Sequence, residues 1–115
     1  MRIPPIFVLK IKVCMCYIIG SGITLNINID KIGNLTMDDL SFTVRFFTVG
    51  GPYIEMYKDQ LKRIDANNYI ACIDTTDLKR GKLFMRAYIS IPDNNYLDGY
   101  RVEIAEVDTN IYLMK

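Results

Sequence analysis

The sequence of 115 residues contains no histidine and no tryptophan. Histidine is the commonest general base in enzymes and the commonest ligand for transition metals, so its absence excludes nucleophile pairs such as Ser–His and Cys–His. We therefore expect that the protein is not an enzyme and that it binds no metal and no cofactor. A small enzyme that works through carboxylates or tyrosines stays as a minor alternative.

Cysteine is scarce as well. Cys14, Cys16 and Cys72 are too few for a disulfide framework, and the first two are too close in sequence for an easy bridge. We expect all three to be buried free thiols.

A strong charge of either sign is also missing. Fourteen lysines and arginines stand against thirteen aspartates and glutamates, which leaves a formal net charge of +1. This balance does not provide the basic field that holds a phosphate backbone, and the sequence contains no phosphate-binding loop. We expect neither a nucleic acid nor a small-molecule substrate as a partner.

Residues that fill exposed helix faces are few, with four alanines, three glutamates and one glutamine. Isoleucine occurs 17 times and tyrosine eight times, and these residue types suit a pleated sheet. The sequence predicts an all-β fold, with one domain over residues 1–115. We expect an antiparallel β-sandwich, Ig-like or jelly-roll-like, of about eight or nine short strands.

The alternation of apolar and polar residues places the strands. It is clearest over residues 23–30, where every second residue is apolar, as is typical of a half-buried strand. We expect Thr36 to cap a single helical or 3-10 turn, Gly50-Gly51 to close a hairpin, and residues 59–65 to form a polar connection. Further strands are predicted over residues 41–49, 53–58, 69–74, 82–91, 100–107 and 111–114, with a turn at 108–110.

The first 19 residues form an apolar segment that is interrupted by two lysines. Lys10 and Lys12 argue against a secretory signal or a membrane segment, so we expect no membrane partner. As a strand, residues 6–19 place the lysines on one face and an apolar row on the other. We predict a long N-terminal strand or arm over residues 1–19, attached to a sandwich body over residues 20–115.

The chain carries more apolar strand surface than one core requires. Phe46 and Phe47 are consecutive, so they point to opposite faces of their strand. Such a surplus predicts contacts with other protein chains, and a homo-oligomer in particular. The expected interface residues are Phe7, Leu9, Ile11, Val13, Met15, Tyr17, Phe46 and Phe47.

Two tyrosines lie in and next to a polar loop over residues 93–99. We expect Tyr96 and Tyr100 to contact a ligand or partner, because tyrosine is enriched in interfaces. The loop fails the EF-hand pattern, which closes with a glutamate where this chain has Ile104. Its Asp and Asn side chains are therefore expected to bond their own backbone.

Several segments together resemble small β-sandwich domains of tailed phages and prophages, and most closely the N-terminal domain of upper baseplate proteins. Similar small proteins are common in phages of gut Bacteroidetes. The resemblance spans roughly residues 20–107. The segments that carry it are Thr24-Leu25-Asn26-Ile27, the LTMDDL loop at 35–40, Phe42-Thr43-Val44-Arg45-Phe46, Asn68-Tyr69-Ile70-Ala71 and Gly81-Lys82-Leu83.

This resemblance implies a structural role in a virion, as a tail, baseplate or head-fibre component. The expected partners are further copies of the chain and other virion proteins, and the expected place is the virion, after synthesis in the host bacterial cytoplasm. A different class stays open: a module that binds carbohydrate or a cell-surface ligand, with exposed tyrosines that stack on sugars.

Overall fold

The computed structural model describes residues 15–30 and 32–115. This part of the chain is nearly all-β, with 64% of the described residues in strands and 6% in helix. Two 3-10 turns, Met37–Asp39 and Lys58–Gln60, interrupt the strands. The strands are β1 (Met15–Ile18), β2 (Gly22–Asn28), β3 (Ser41–Thr48), β4 (Tyr53–Tyr57), β5 (Lys62–Asp65), β6 (Asn68–Asp74), β7 (Gly81–Pro92) and β8 (Tyr100–Met114).

The strands form two sheets of unequal width. The larger sheet has the order β1-β8-β7-β3-β4, and the smaller has the order β2-β6-β5. All pairs are antiparallel except β1 with β8, which run parallel. The prediction of a purely antiparallel fold is therefore wrong at β1. Because β1 and β8 are far apart in sequence, no hairpin fixes their relative direction.

One hydrophobic cluster contains buried side chains from both sheets. In β2, the predicted alternation is confirmed, since Ile23, Leu25 and Ile27 are buried and Thr24 is exposed. The rings of Phe42 in β3 and Tyr69 in β6 meet edge to face, with centroids 5.4 Å apart. This contact joins the larger sheet to the smaller, so the two sheets share a core.

The C-terminal strand differs from the expectation. The sequence predicts a turn at 108–110 between two strands, but β8 continues through these residues as one strand. Leu83 pairs with Ile111 while Phe84 pairs with Asp108, so two residues of β8 form a bulge. The Thr109 hydroxyl donates a hydrogen bond of 2.7 Å to the Leu83 carbonyl. The residue types that are common in turns are also common in β-bulges, so the sequence alone does not distinguish a turn from a bulge at this point.

Two further expectations need correction. Lys62–Asp65 is the short strand β5 rather than a connection, and all four of its residues are exposed at a sheet edge. Charged residues are common on edge strands because they discourage pairing with other chains. Cys16 and Cys72 are free but exposed rather than buried, and Cys14 lies outside the described residues. The Thr36-capped turn and the Gly50-Gly51 hairpin are confirmed.

The bulge gives a test of the fold. We expect Thr109→Val to lower the free energy of unfolding by about 1–3 kcal/mol, because a buried hydrogen bond is lost without a change of shape. Thr24→Val, on the exposed face of β2, is the matched control and should change stability by less than about 0.5 kcal/mol. Urea denaturation measures both values, and equal values for the two variants would contradict a structural role for the bulge.

Candidate interaction surface

The side chains of the larger sheet that point away from the core form regular rows across β4, β3, β7 and β8. We call this surface the outer face. Its residues lie opposite one another in the strand register. The three rows are Glu55, Arg45, Arg86 and Glu106; then Tyr53, Phe47, Phe84 and Asp108; then Tyr57, Thr43, Tyr88 and Ile104.

The charged row brings two arginines next to each other, each with a carboxylate beside it. Arg45 Nε lies 2.9 Å from Glu55 Oε1, and Arg86 Nη2 lies 2.7 Å from Glu106 Oε1. The hydrogen bond to Glu55 raises the pKa of Arg45. The four charges of the row cancel, so the row offers no net charge to an anion.

The arginines also stack on the aromatic rings of the neighbouring rows. The Arg45 guanidinium lies 4.4 Å from the centroid of Tyr53 and 5.0 Å from that of Tyr88. The Arg86 guanidinium lies 5.2 Å from the centroid of Phe47. These contacts fix both side chains on two sides, through the ring and through the carboxylate. The outer face is therefore a patterned surface of aromatic rings and compensated charges.

Apolar side chains extend this surface along β8. Val102 and Ile104 are 63% and 62% exposed, and both point to the outer side, since they pair with Ser90 and Tyr88. Phe47 is half-buried on the outer face, where it stacks on Phe84 with centroids 6.0 Å apart. The outer face thus includes one predicted interface residue together with residues that the sequence did not single out.

The structure places the other predicted interface residues elsewhere. Phe46 has 0% exposure and belongs to the protein's own core, so its side chain is not on the surface. Met15 and Tyr17 are half-buried and pack against the same core. The remaining four residues lie outside the described part of the chain: Phe7, Leu9, Ile11 and Val13.

Tyr96 and Tyr100 are both about half exposed, at 52% and 51%. As expected, the loop bonds its own backbone: the amide of Asn95 donates to Asp93 Oδ1 at 3.0 Å. Tyr100 pairs with Pro92, eight residues along β7 from Phe84, which is about 26 Å at the rise of a strand. The two tyrosines therefore do not share a site with Phe47.

A cluster that sequence reasoning missed surrounds Asp38. Its carboxylate accepts hydrogen bonds from Arg63 at 2.7 Å and from the Tyr69 hydroxyl at 2.7 Å. The Lys58 ammonium donates to the backbone carbonyls of Asp38 and Leu40. These bonds tie the first 3-10 turn to β5 and β6 beside an open groove of about 470 Å³. The spacing of these residues in the sequence does not reveal the cluster, because its members come from four separate elements: the two 3-10 turns, β5 and β6.

The same contacts shift two pKa values. The hydrogen bonds from Arg63 and then from Tyr69 lower the pKa of Asp38 to about 2. Burial, and then the hydrogen bond to Asp38, raise the pKa of Tyr69 to about 12. The polar groups of this cluster bind one another, so we interpret it as a structural link rather than as a reactive centre.

Two other kinds of site are absent from residues 15–30 and 32–115. This part of the chain holds no group of three or more cysteine, aspartate or glutamate side chains placed to bind a metal ion. It also holds no helix that is long and apolar enough to cross a membrane.

Comparison of the chain with protein-family models, with curated proteins and with solved structures finds no match. The resemblance to phage β-domains therefore stays a prediction.

The Asp38 cluster predicts how stability depends on pH. Because the folded pKa of Asp38, about 2, lies below its ordinary value of 3.8, its contribution is complete above pH 4 and is lost as the pH falls towards 2. We expect Asp38→Asn to lower stability at pH 7 and to flatten its fall between pH 4 and 2. Exposed Asp77→Asn is the control. Thermal unfolding at several pH values measures both, and an unchanged slope in Asp38→Asn would contradict the assignment.

Proposed function

We propose that the protein is a structural module that acts through protein–protein contacts of its outer face. The observation that carries this proposal is the row of stacked arginines and aromatic rings next to exposed Val102 and Ile104. Arginine, tyrosine and phenylalanine are enriched where proteins meet. For the architecture, we propose a β-sandwich in which all described strand pairs except β1 with β8 are antiparallel, since two sheets around a shared core support it.

The side chains of the outer face contribute little to the stability of the folded chain. Exposed ion pairs contribute about 0–1 kcal/mol each, and the apolar side chains of Val102 and Ile104 gain little while they are in water. Arginines that are held by rings and carboxylates lose little side-chain entropy on binding. The outer face is therefore preorganised for contact with another protein. Because its charges cancel, we expect it to recognise a partner by shape and by ring stacking.

The assembly that we propose is the virion of a tailed phage or prophage, with the protein as a tail, baseplate or head-fibre component. Its partners would be further copies of the chain and other virion proteins, after synthesis in the bacterial cytoplasm. Support comes from the sequence resemblance over residues 20–107 and from the outer face. Neither points to a position within the virion.

Self-association tests the outer face directly. We expect sedimentation of the wild type to show an oligomer, and Ile104→Asp to weaken association at least tenfold, since a charge would enter an apolar contact; tenfold corresponds to about 1.4 kcal/mol. Leu97→Asp changes a fully exposed apolar residue outside the outer face and is the matched control. A wild type that stays monomeric at high concentration and binds no virion protein would overturn the proposal.

A second candidate function rests on the loop over residues 93–99. Tyr96 and Tyr100 expose about half of their surface there, and exposed rings can stack on sugars. A glycan array tests this candidate: we expect binding that is lost in Tyr96→Ala and in Tyr100→Ala, because each variant removes a ring. Tyr57→Ala, which removes an equally exposed ring on β4, should leave it unchanged. An array without any hit would remove this candidate.

A further inference from the structure

Most basic side chains of the described residues have a polar partner, and most of those without one lie at one end of the fold. The side chains that form ion pairs with carboxylates are Arg45, Arg63, Lys82, Arg86 and Arg101. The Lys58 ammonium binds two backbone carbonyls. In the described part of the chain, the basic side chains without such a partner are Lys62, Lys79, Arg80 and Lys115. The last three line one open groove of about 690 Å³.

This groove, which we call the basic groove, lies where the ends of four strands meet. Its cations precede β7 or follow β8, and its apolar residues are Ile19 after β1, Val49 after β3 and Leu78. Leu78 is 4% exposed and Val49 is 80% exposed, so apolar side chains form both the floor and the rim. No carboxylate side chain is among the described residues that line the groove. A second groove of about 400 Å³ shares two of the cations and includes exposed Met114.

The loop over residues 75–80, which carries two of the cations, is held by buried threonines. The Thr75 hydroxyl donates a hydrogen bond of 2.7 Å to the Ser21 carbonyl. The Thr48 hydroxyl donates one of 3.0 Å to the Lys79 carbonyl. Both threonines are at most 1% exposed. These bonds fix the backbone of the loop and leave its cationic side chains exposed, so little of the loop has to be ordered when a ligand binds.

We propose that the basic groove binds an extended acidic segment of another protein chain. Successive side chains of an extended segment point to opposite sides, so one row of apolar side chains enters the groove while carboxylates of the other row reach Lys79 and Arg80. Because no described carboxylate side chain lines the groove, charge complementarity favours an acidic occupant. The outer face, by contrast, has compensated charges, so the two surfaces select partners by different means. This contact is therefore additional to the function proposed above.

The shape of the groove favours a protein segment over other anions. Inorganic phosphate would fill only a small part of the two grooves and would leave the apolar floor in water. An anionic membrane presents a broad surface, which would touch exposed Val49 but would not reach Leu78 at the floor. A nucleic acid needs a wider basic field than three cations in a chain with a net charge of +1. An acidic segment with apolar residues matches both the charge and the floor.

Binding of a defined peptide to the full chain tests the proposal. The probe is a short fluorescein-labelled peptide in which glutamate alternates with leucine; the comparison peptides replace glutamate by glutamine or leucine by serine. Fluorescence anisotropy should show saturable binding of the probe. We expect it to be at least tenfold weaker for the glutamine peptide and at least threefold weaker for the serine peptide, since each loses one half of the match. Equal affinity for the three peptides, or no saturation up to about 1 mM, would overturn the proposal.

Charge reversal in the protein locates the site. We expect the double variant Lys79→Glu/Arg80→Glu to weaken binding of the probe at least tenfold and to keep its thermal unfolding, because both side chains are exposed. Lys62→Glu is the matched control, since it reverses an exposed cation on β5 outside the groove, and it should leave binding unchanged. Val49→Ser should weaken binding at least threefold, because it removes an apolar contact. Equal losses in Lys62→Glu and in the double variant would overturn the proposal.

Competition and sedimentation separate the other occupants. Inorganic phosphate or phosphatidylserine vesicles that displace the probe at equal concentration would overturn the assignment to a protein segment. A wild-type oligomer that dissociates in Lys79→Glu/Arg80→Glu would assign the groove to a second copy of the chain and would also overturn the proposal. An oligomer that persists in this variant and dissociates in Ile104→Asp would support separate contacts at the basic groove and at the outer face.

Discussion

Two sheets of unequal width share one core, and the rest of the structure depends on this inequality. Three strands cannot cover the whole inner side of a sheet of five. The inner residues of β7 are buried along its whole length, from Leu83 to Ile91. The inner residues of β8 change from buried Leu113 to exposed Glu103. The margin of the core therefore crosses β8, which is a core strand at its C-terminal end and a surface strand at its start.

The bulge in β8 lets one strand serve both environments. It inserts two residues rather than one, so the alternation of faces is kept on both sides of it. Ile111 and Leu113 stay in the core, while Glu106 and Asp108 stay on the outer side. Asn110 adopts a φ of +62° at this point, a conformation that asparagine tolerates better than most residues. A single inserted residue would have moved the side chains of one half of the strand to the opposite face of the sheet.

Local alternation predicted much of the fold, because each side chain of a strand has only two faces to choose from. It placed β2, β3, β4, β6 and β7 closely and put Phe46 and Phe47 on opposite faces, but it did not identify Phe46 as a core residue. It missed β5, whose exposed edge has no apolar alternation, and it divided β8 at the bulge. The parallel pairing of β1 and the cluster around Asp38 arise from contacts between distant segments. Local sequence patterns do not predict contacts between distant segments.

The arrangement of charge on the outer face follows from the same geometry. The strand register places Arg45 directly beside Arg86, and two adjacent guanidinium groups repel each other unless anions flank them. Glu55 and Glu106 occupy the flanking positions on the neighbouring strands, so the row is neutral only when all four strands are paired. The near balance of acidic and basic residues in the whole chain is thus also found within this row, which has no net charge. A neutral surface with fixed rings discriminates between partners by fit, because long-range attraction contributes little to it.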